Sequence, residues 1–403
     1  MAVRLLTTAH FGFSTLRFGD AQAYLRAAKA LAQTGRYPLQ TDYGSFRAPG
    51  YPVFLVAATL GDPGRVALAK VANALLGGLA ALVLAGISAR LFRMQSLAAL
   101  TGLTAALDPS FILSATDVQS EPLFLLLLLT SAFLLIVCTD RPSSNAGILA
   151  GAALGLASLT RPSALVLSPL LAAPLLDRRS PLRVRGHLVA SAVAGFVLAL
   201  TPWTIRNLRV YGEVLPVNDF AGVAFYLGNS DLMARFGEVR TADQYRAWLG
   251  ELRRLAEQKE SELKAAGDGS PSRRLRAYVR SAFDERRASP EATRRLVELK
   301  LREWLRPYPN PLFWPAWITL PVALFYASLF LAAIPGLVNA PRRGAVLFSG
   351  AVLVLSMFAH LLFIVVWRYR APYWDPILIL FGLFGAAWLA SRFQLHRPGP
   401  AGR

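Results

Sequence analysis

Apolar runs of roughly twenty residues, nearly free of charge, recur along this chain of 403 residues, separated by short polar segments. A helix of that length matches the ~30 Å hydrocarbon core of a bilayer. Nine candidate spans follow, over residues 65–89, 96–116, 121–138, 145–160, 162–177, 188–204, 312–338, 344–367 and 376–391. Residues 51–60, YPVFLVAATL, are apolar but too short to span, and are expected to re-enter or lie at the interface. The pattern changes between the sixth and seventh runs. Residues 241–266, 273–287 and 290–305 carry apolar positions at helical spacing, with Glu and Arg on the opposite face. GDGSPS at 267–272 breaks the first of these helices, and Ser289-Pro290 with Glu291 opens the last. No solenoid-type repeat is present. The expected fold class is all-α: a polytopic membrane protein of about nine transmembrane helices with a small helical extracytoplasmic region. Its divisions are a first outer loop over 1–64, a helical bundle over 65–204, a helical cap over 205–311, further spans over 312–391 and a basic tail over 392–403.

Composition sharpens this. The chain is 54% hydrophobic and 17% charged, against about a quarter charged in soluble domains. Its net charge of +19 comes mainly from arginine. In a soluble protein that excess would suggest nucleic acid. Here it gathers in alternate short loops: Arg90 and Arg93; Arg141; Arg178, Arg179, Arg183 and Arg185; Arg342 and Arg343; and the tail with Arg392, Arg397 and Arg403. The positive-inside rule puts those loops in the cytoplasm. The other loops, and residues 1–64, then face outward. An outward segment of that length needs a preceding span, and residues 1–17 hold too little apolar length for one. The expectation is a native chain beginning upstream, with a first span missing or only partly present. The one cysteine, Cys138, excludes an intrachain disulfide, and no zinc spacing, Walker loop or dinucleotide fingerprint occurs. Arginine-rich, lysine-poor usage suggests a GC-rich bacterial genome, hence a bacterial inner membrane, and the loop charges place the C-terminus in the cytoplasm.

The unusual polar residues all fall on the outward side. Asp20, Tyr24 and Arg47 lie in the first loop; Asp117 and Glu121 flank a short turn in SATDVQSEPLF. Arg161 stands in LTRPSAL, Arg206 and Asn207 in TPWTIRN, Asn229 in the GN pair, and Arg368 and Arg370 in VVWRYRAPYWDP. A carboxylate can take a proton from an attacking hydroxyl, and arginine binds phosphate through paired charge-assisted bonds. Charged groups near hydrocarbon are costly, so function is their default reading. Plainer readings stand beside it. Asp20 is equally well placed to cap the helix that follows. Arg47 and Lys70 can snorkel, and Glu121 before Pro122 can open a span. Asp42 is better read as a turn residue than as a second acid. His360 reads as a satisfied intrahelical histidine, and the Trp and Tyr residues around 304–317 and 367–374 as an interfacial belt. Arg161, Arg368 and Arg370 carry more information, because outward arginines oppose the charge rule.

Several motifs together resemble the GT-C glycosyltransferases of the protein O-mannosyltransferase and aminoarabinose-transferase type. They are GDAQAYLRAAKALAQTGRYP with FRAPGYPVFL, SEPLF, GLASLTRPSAL, TPWTIRNLRVYGEVLPV with GVAFYLGNS, and RYRAPYWDPILIL. They cover residues 18–230 and 312–391. The resemblance implies an inverting transfer of a sugar from a polyprenyl-phosphate donor to a glycan, lipid or protein acceptor at the outer face. It implies Asp20 as general base and Glu121 as the second-loop acid, near the acceptor or supporting the base. Arg47, Arg161, Arg368 and Arg370 would hold the donor phosphate. Arg206, Tyr24, Asp117 and Asn229 complete the candidate binding set. The first loop carries a single acid rather than an Asp-Glu pair, which gives no clear metal-binding pair, so no metal site is assigned and dependence on a divalent metal stays open; no cofactor is assigned, and the lipid-linked sugar is a co-substrate. Two other classes compete: a transporter or flippase for lipid-linked sugars, which should show polar residues and broken helices near the bilayer midplane, and an inactive scaffold of the same fold.

Overall fold

The structure, a computed structural model, describes residues 1–395 apart from 18, 39–46, 178, 219, 268–269, 313 and 365–366. Asp42 and the tail arginines Arg397 and Arg403 lie outside the described residues. No strand occurs among the described residues.

Three short helices come first: α1 (Ala2–Phe11), α2 (Gly19–Thr34) and α3 (Gly50–Ala58). A bundle follows, made of α4 (Val66–Phe92), α5 (Gln95–Leu107), α6 (Pro109–Ala115), α7 (Glu121–Asp140), α8 (Ser144–Thr160), a 3-10 helix over Pro162–Leu176, and α9 (Leu182–Tyr211). The cap holds α10 (Phe220–Gly228), α11 (Asp231–Ala234), α12 (Ala242–Ala265), α13 (Pro271–Ala288) and α14 (Pro290–Leu305). The chain returns to the bundle as α15 (Ala316–Val338), α16 (Arg343–Leu362) and α17 (Trp367–Leu395).

Among the described residues six helices are long and apolar enough to cross a membrane: α4, α7, α9, α15, α16 and α17. The protein is therefore a multi-pass membrane protein, but the count of nine spans is not reproduced as nine full-length helices. The run at 96–116 is two helices bent by 49°. Pro109 is the cause: it has no N–H to continue α5, and Asp108 instead caps α6 by accepting from Phe111 N at 3.0 Å. The runs at 145–160 and 162–177 form α8 and the 3-10 helix, both shorter. In the latter, Pro162, Pro169 and Pro174 remove backbone donors, and tighter winding gives fifteen residues about 30 Å of length at ~2.0 Å each.

Small residues let the bundle close. Gly147, Gly151 and Gly155 form one stripe of α8 against α9, and a Cβ on Gly151 would stand 1.7 Å from the Ala192 carbonyl oxygen. Gly336 and Gly385 do the same between α15 and α17, where an added Cβ would meet the carbonyls of Phe381 and Ala332 at 1.9 Å. Inside the bundle, the Tyr326 hydroxyl lies 2.9 Å from both Asp108 and Asp375, and 2.7 Å from Ser110.

α1 is ten residues long, about 15 Å by helical rise. Arg4 is buried and donates to the carbonyls of Ala105 and Ala106 at the end of α5. Lys70 does not snorkel. It is fully buried and donates to the carbonyls of Gly12 and Thr15, tying the turn after α1 to α4.

The three amphipathic helices of the cap correspond to α12, α13 and α14. Thr241 and Gln244 make a full capping box at the start of α12. An apolar cluster including Tyr226, Met233, Trp248, Tyr278 and Leu296 fills the cap. Lys300 fastens it to the bundle by donating to Asn229 Oδ1 at 3.1 Å and to the Leu361 carbonyl at 2.6 Å.

Candidate active site

Glu121 and Asp140 mark the two ends of α7, about 28 Å apart by helical rise. At the Asp140 end, Arg90 and Arg342 converge on one carboxylate, at 3.4 and 2.7 Å. The candidate site is at the other end.

Asp20 lies in the first turn of α2. α2 presses Ala21 and Ala28 against Tyr51 and Leu55 of α3, small residues that allow close approach. The Asp20 side chain is directed to arginines: Oδ1 accepts from Arg47 Nη2 at 2.9 Å and Oδ2 from Arg368 Nη2 at 2.5 Å. Burial opposes its ionisation, but Arg368 and then Arg47 outweigh that, and the carboxyl is held below its usual range.

Arg47 stands just before α3. Its carbonyl accepts from the Tyr37 hydroxyl at 3.0 Å, and its guanidinium lies over the Tyr24 ring. Arg206, at the end of α9, donates to the Tyr37 carbonyl at 3.1 Å, so it braces the segment carrying Arg47 without reaching Asp20 itself. Arg368 opens α17, where the helix dipole disfavours a cation, and acids compensate. Besides Asp20 it reaches Gln119 Oε1 at 3.1 Å and Glu121 Oε1 at 3.9 Å. Glu121, in the first turn of α7, also pairs with Arg161 Nη1 at 2.9 Å. Arg161 occupies the C-cap of α8, where Pro162 ends the helix. Its guanidinium lies 4.9 Å from the centre of the Tyr369 ring.

The result is an unbroken chain of alternating charge, Arg47–Asp20–Arg368–Glu121–Arg161, drawn from five separate segments. It carries three cations against two anions. Tyr24 joins it through a 3.1 Å contact between its hydroxyl and Ser120 Oγ. Four of its members, Arg47, Asp20, Arg368 and Glu121, border a cavity of about 700 Å³ between bundle and cap, whose far wall includes Tyr245, Trp248, Arg306 and Trp314. A cluster of three or more metal-ligating side chains is absent among the described residues.

The remaining candidates are engaged elsewhere. Asp117 is fully buried and holds its own turn, accepting from Val118 N at 2.7 Å and Arg17 N at 2.9 Å. Arg370 faces away from Asp20 and donates to the carbonyls of Trp304 and Arg306, joining α17 to the end of α14. Asn229 bonds the carbonyls of Phe225 and Leu362 and receives Lys300. His360 is buried, its Nδ1 2.6 Å from the Ser356 carbonyl and its ring 4.6 Å from Trp304. Sequence reasoning passed over Gln119, Ser120 and Tyr369. Gln119 and Ser120 are neutral groups inside SATDVQSEPLF, and the only signal was their position between two acids.

Residues 53–205 match the family model described as dolichyl-phosphate-mannose-protein mannosyltransferase. No curated protein sequence matches the chain. Among solved structures, the oligosaccharyltransferase AglB of Archaeoglobus fulgidus, in complex with an inhibitory peptide and a dolichol-phosphate, superposes with a TM-score of 0.57 at 13% identity. That alignment covers 95% of this chain and 48% of AglB. The apo form of the Archaeoglobus fulgidus oligosaccharyltransferase gives 0.55 at 15% identity, covering 98% of this chain and 51% of that one. The chain thus spans about half the length of these archaeal enzymes. ArnT of Cupriavidus metallidurans, bound to undecaprenyl phosphate, aligns at 0.43 and 15% identity over 98% of this chain and 78% of its own, too distant to carry the assignment. By its fold, the chain resembles these archaeal oligosaccharyltransferases over about half of their length.

Proposed function

We propose that the protein is an inverting glycosyltransferase that moves a sugar from a polyprenyl-phosphate donor to an acceptor at the outer face of the membrane. The observation that carries this reading is the alternating ion chain beside the 700 Å³ cavity. A carboxylate clamped by two guanidiniums is a weak base. A donor phosphate competes for Arg368 and Arg47, and as they turn to it Asp20 loses its counter-ions and gains basicity. The acceptor hydroxyl then attacks the anomeric carbon and its proton passes to Asp20. The carbon–oxygen bond to phosphate breaks, and polyprenyl phosphate departs with the electron pair, its charge met by the arginines. One displacement inverts the anomeric centre.

The archaeal oligosaccharyltransferase in complex with a dolichol-phosphate lends the lipid-phosphate class support. The test is transfer by the full chain in proteoliposomes, supplied with a labelled polyprenyl-phosphate sugar and a membrane extract. Appearance of label in a product of opposite anomeric configuration supports the reading, and a retained configuration or absent transfer refutes it. The transporter reading has one observation in its favour, the break at Asp108 beside the Tyr326–Asp375 contacts deep in the bundle. It requires the labelled lipid to cross the bilayer without being consumed.

A further inference from the structure

Among the residues lining the cavity, two neighbours in one turn each keep a buried polar atom without a partner. Gln119 is 2% exposed, and its Oε1 accepts from Arg368 Nη1. Arginine has donors only, so this contact fixes which end of the amide is oxygen. The amide nitrogen Nε2 then remains without a hydrogen bond. Glu121 is 5% exposed; its Oε1 is taken by Arg161, while Oε2 has no partner. Both residues line the cavity. Between them in sequence, Ser120 directs its hydroxyl to Tyr24 instead.

An unfilled donor and an unfilled acceptor, two residues apart at one turn, do not suit phosphate, because the carboxylate repels it. They suit hydroxyl groups, each of which both donates and accepts. Buried groups of this kind discriminate strongly, because a ligand lacking the matching hydroxyl leaves them unpaired. We infer that Gln119 Nε2 and Glu121 Oε2 form a subsite for adjacent hydroxyls of the sugar carried by the lipid phosphate. Arg368 bonds Gln119 as well as Asp20, which places this subsite next to the ion chain. The inference rests on the reading of the protein as a polyprenyl-phosphate-sugar glycosyltransferase and names the part of the donor that these residues read.

The experiment measures binding to the full chain in nanodiscs with three probes: undecaprenyl phosphate, undecaprenyl phosphate mannose and its single-deoxy analogues. The unaltered protein should bind the mannose lipid more tightly than the bare phosphate, and at least one deoxy analogue should lose about tenfold, equal to about 1.4 kcal/mol. Gln119→Met should leave undecaprenyl phosphate binding within about twofold while erasing the deoxy penalty. Equal affinity of the unaltered protein for all three probes overturns the subsite, and needs no variant to fold. A deoxy penalty that survives Gln119→Met overturns the role of Gln119. The failures are separable: transfer without hydroxyl discrimination removes this subsite and leaves the enzyme, whereas discrimination without transfer removes the enzyme and leaves the subsite.

Discussion

Arg368 and Arg370 stand two residues apart on α17, a rotation of about 200° on a helix with ~100° per residue. That rotation separates their roles: Arg368 meets Asp20, Gln119 and Glu121, while Arg370 turns to the carbonyls of Trp304 and Arg306. Helical periodicity could have divided the pair in advance; the charge rule, which marked both, could not. Arg161 and Arg368 were legible as arginines in loops where the charge rule disfavours them, and Asp20, Arg47 and Glu121 as polar residues in the same set of loops. Their order along the ion chain was not, because it depends on contacts between distant segments. Two predictions belong here. Arg161→Ala leaves the buried Glu121 carboxylate with only the longer contact to Arg368, and should destabilise by about 3 kcal/mol, read as a lowered unfolding midpoint. Arg161→Ala combined with Glu121→Gln should recover much of that loss. The second concerns pH. Asp20 has a depressed folded pKa, so its contribution to stability is complete above the ordinary carboxylate value and disappears as pH falls through the depressed one. Acid titration of the unfolding midpoint should show this loss, and Asp20→Asn should remove it.

Among the elements, long helices with unbroken apolar runs were readable to within a few residues, as α7 and α16 show. The break at Asp108 and the 3-10 winding after Arg161 were missed, although their signals, Pro109 and the prolines at 162, 169 and 174, lie in the sequence. A hydropathy window counts proline as a mild residue and does not register a lost donor. The tight seam of α8 on α9 should fail on Gly151→Leu, since even a Cβ collides with the Ala192 carbonyl. Loss of folded protein in detergent, by at least the ~1–3 kcal/mol typical of overpacking, is the expected outcome. The cap junction has its own signature. Burial, with a smaller push from Arg286, lowers the Lys300 pKa to about 7. Between that value and the ordinary one near 10.5 the unfolded chain holds a proton that the folded one lacks, so stability should rise with pH across this window. Unfolding midpoints at pH 7 and 9 should differ in this direction, and Lys300→Met should reduce the difference.

For the whole molecule, alternating loop charge separated two ends of a bundle, and the structure gives each end its own arginine cluster. Arg90 and Arg342 share Asp140 at one end; Arg47, Arg161 and Arg368 alternate with Asp20 and Glu121 at the other. The second cluster borders a cavity of about 700 Å³ roofed by a soluble-type cap, while the first, through Asp140 and Arg342, borders one of about 280 Å³. The central claim is that Asp20 takes the acceptor proton while the arginines hold lipid phosphate. Asp20→Asn keeps the size of the side chain and removes its charge. The most direct measurement sets transfer by this variant, from a radiolabelled polyprenyl-phosphate sugar, beside its binding of undecaprenyl phosphate. The account predicts transfer reduced by about 10²–10⁴-fold with lipid-phosphate binding preserved or tightened, since the freed arginines stay in place. Transfer at the unaltered rate would contradict it.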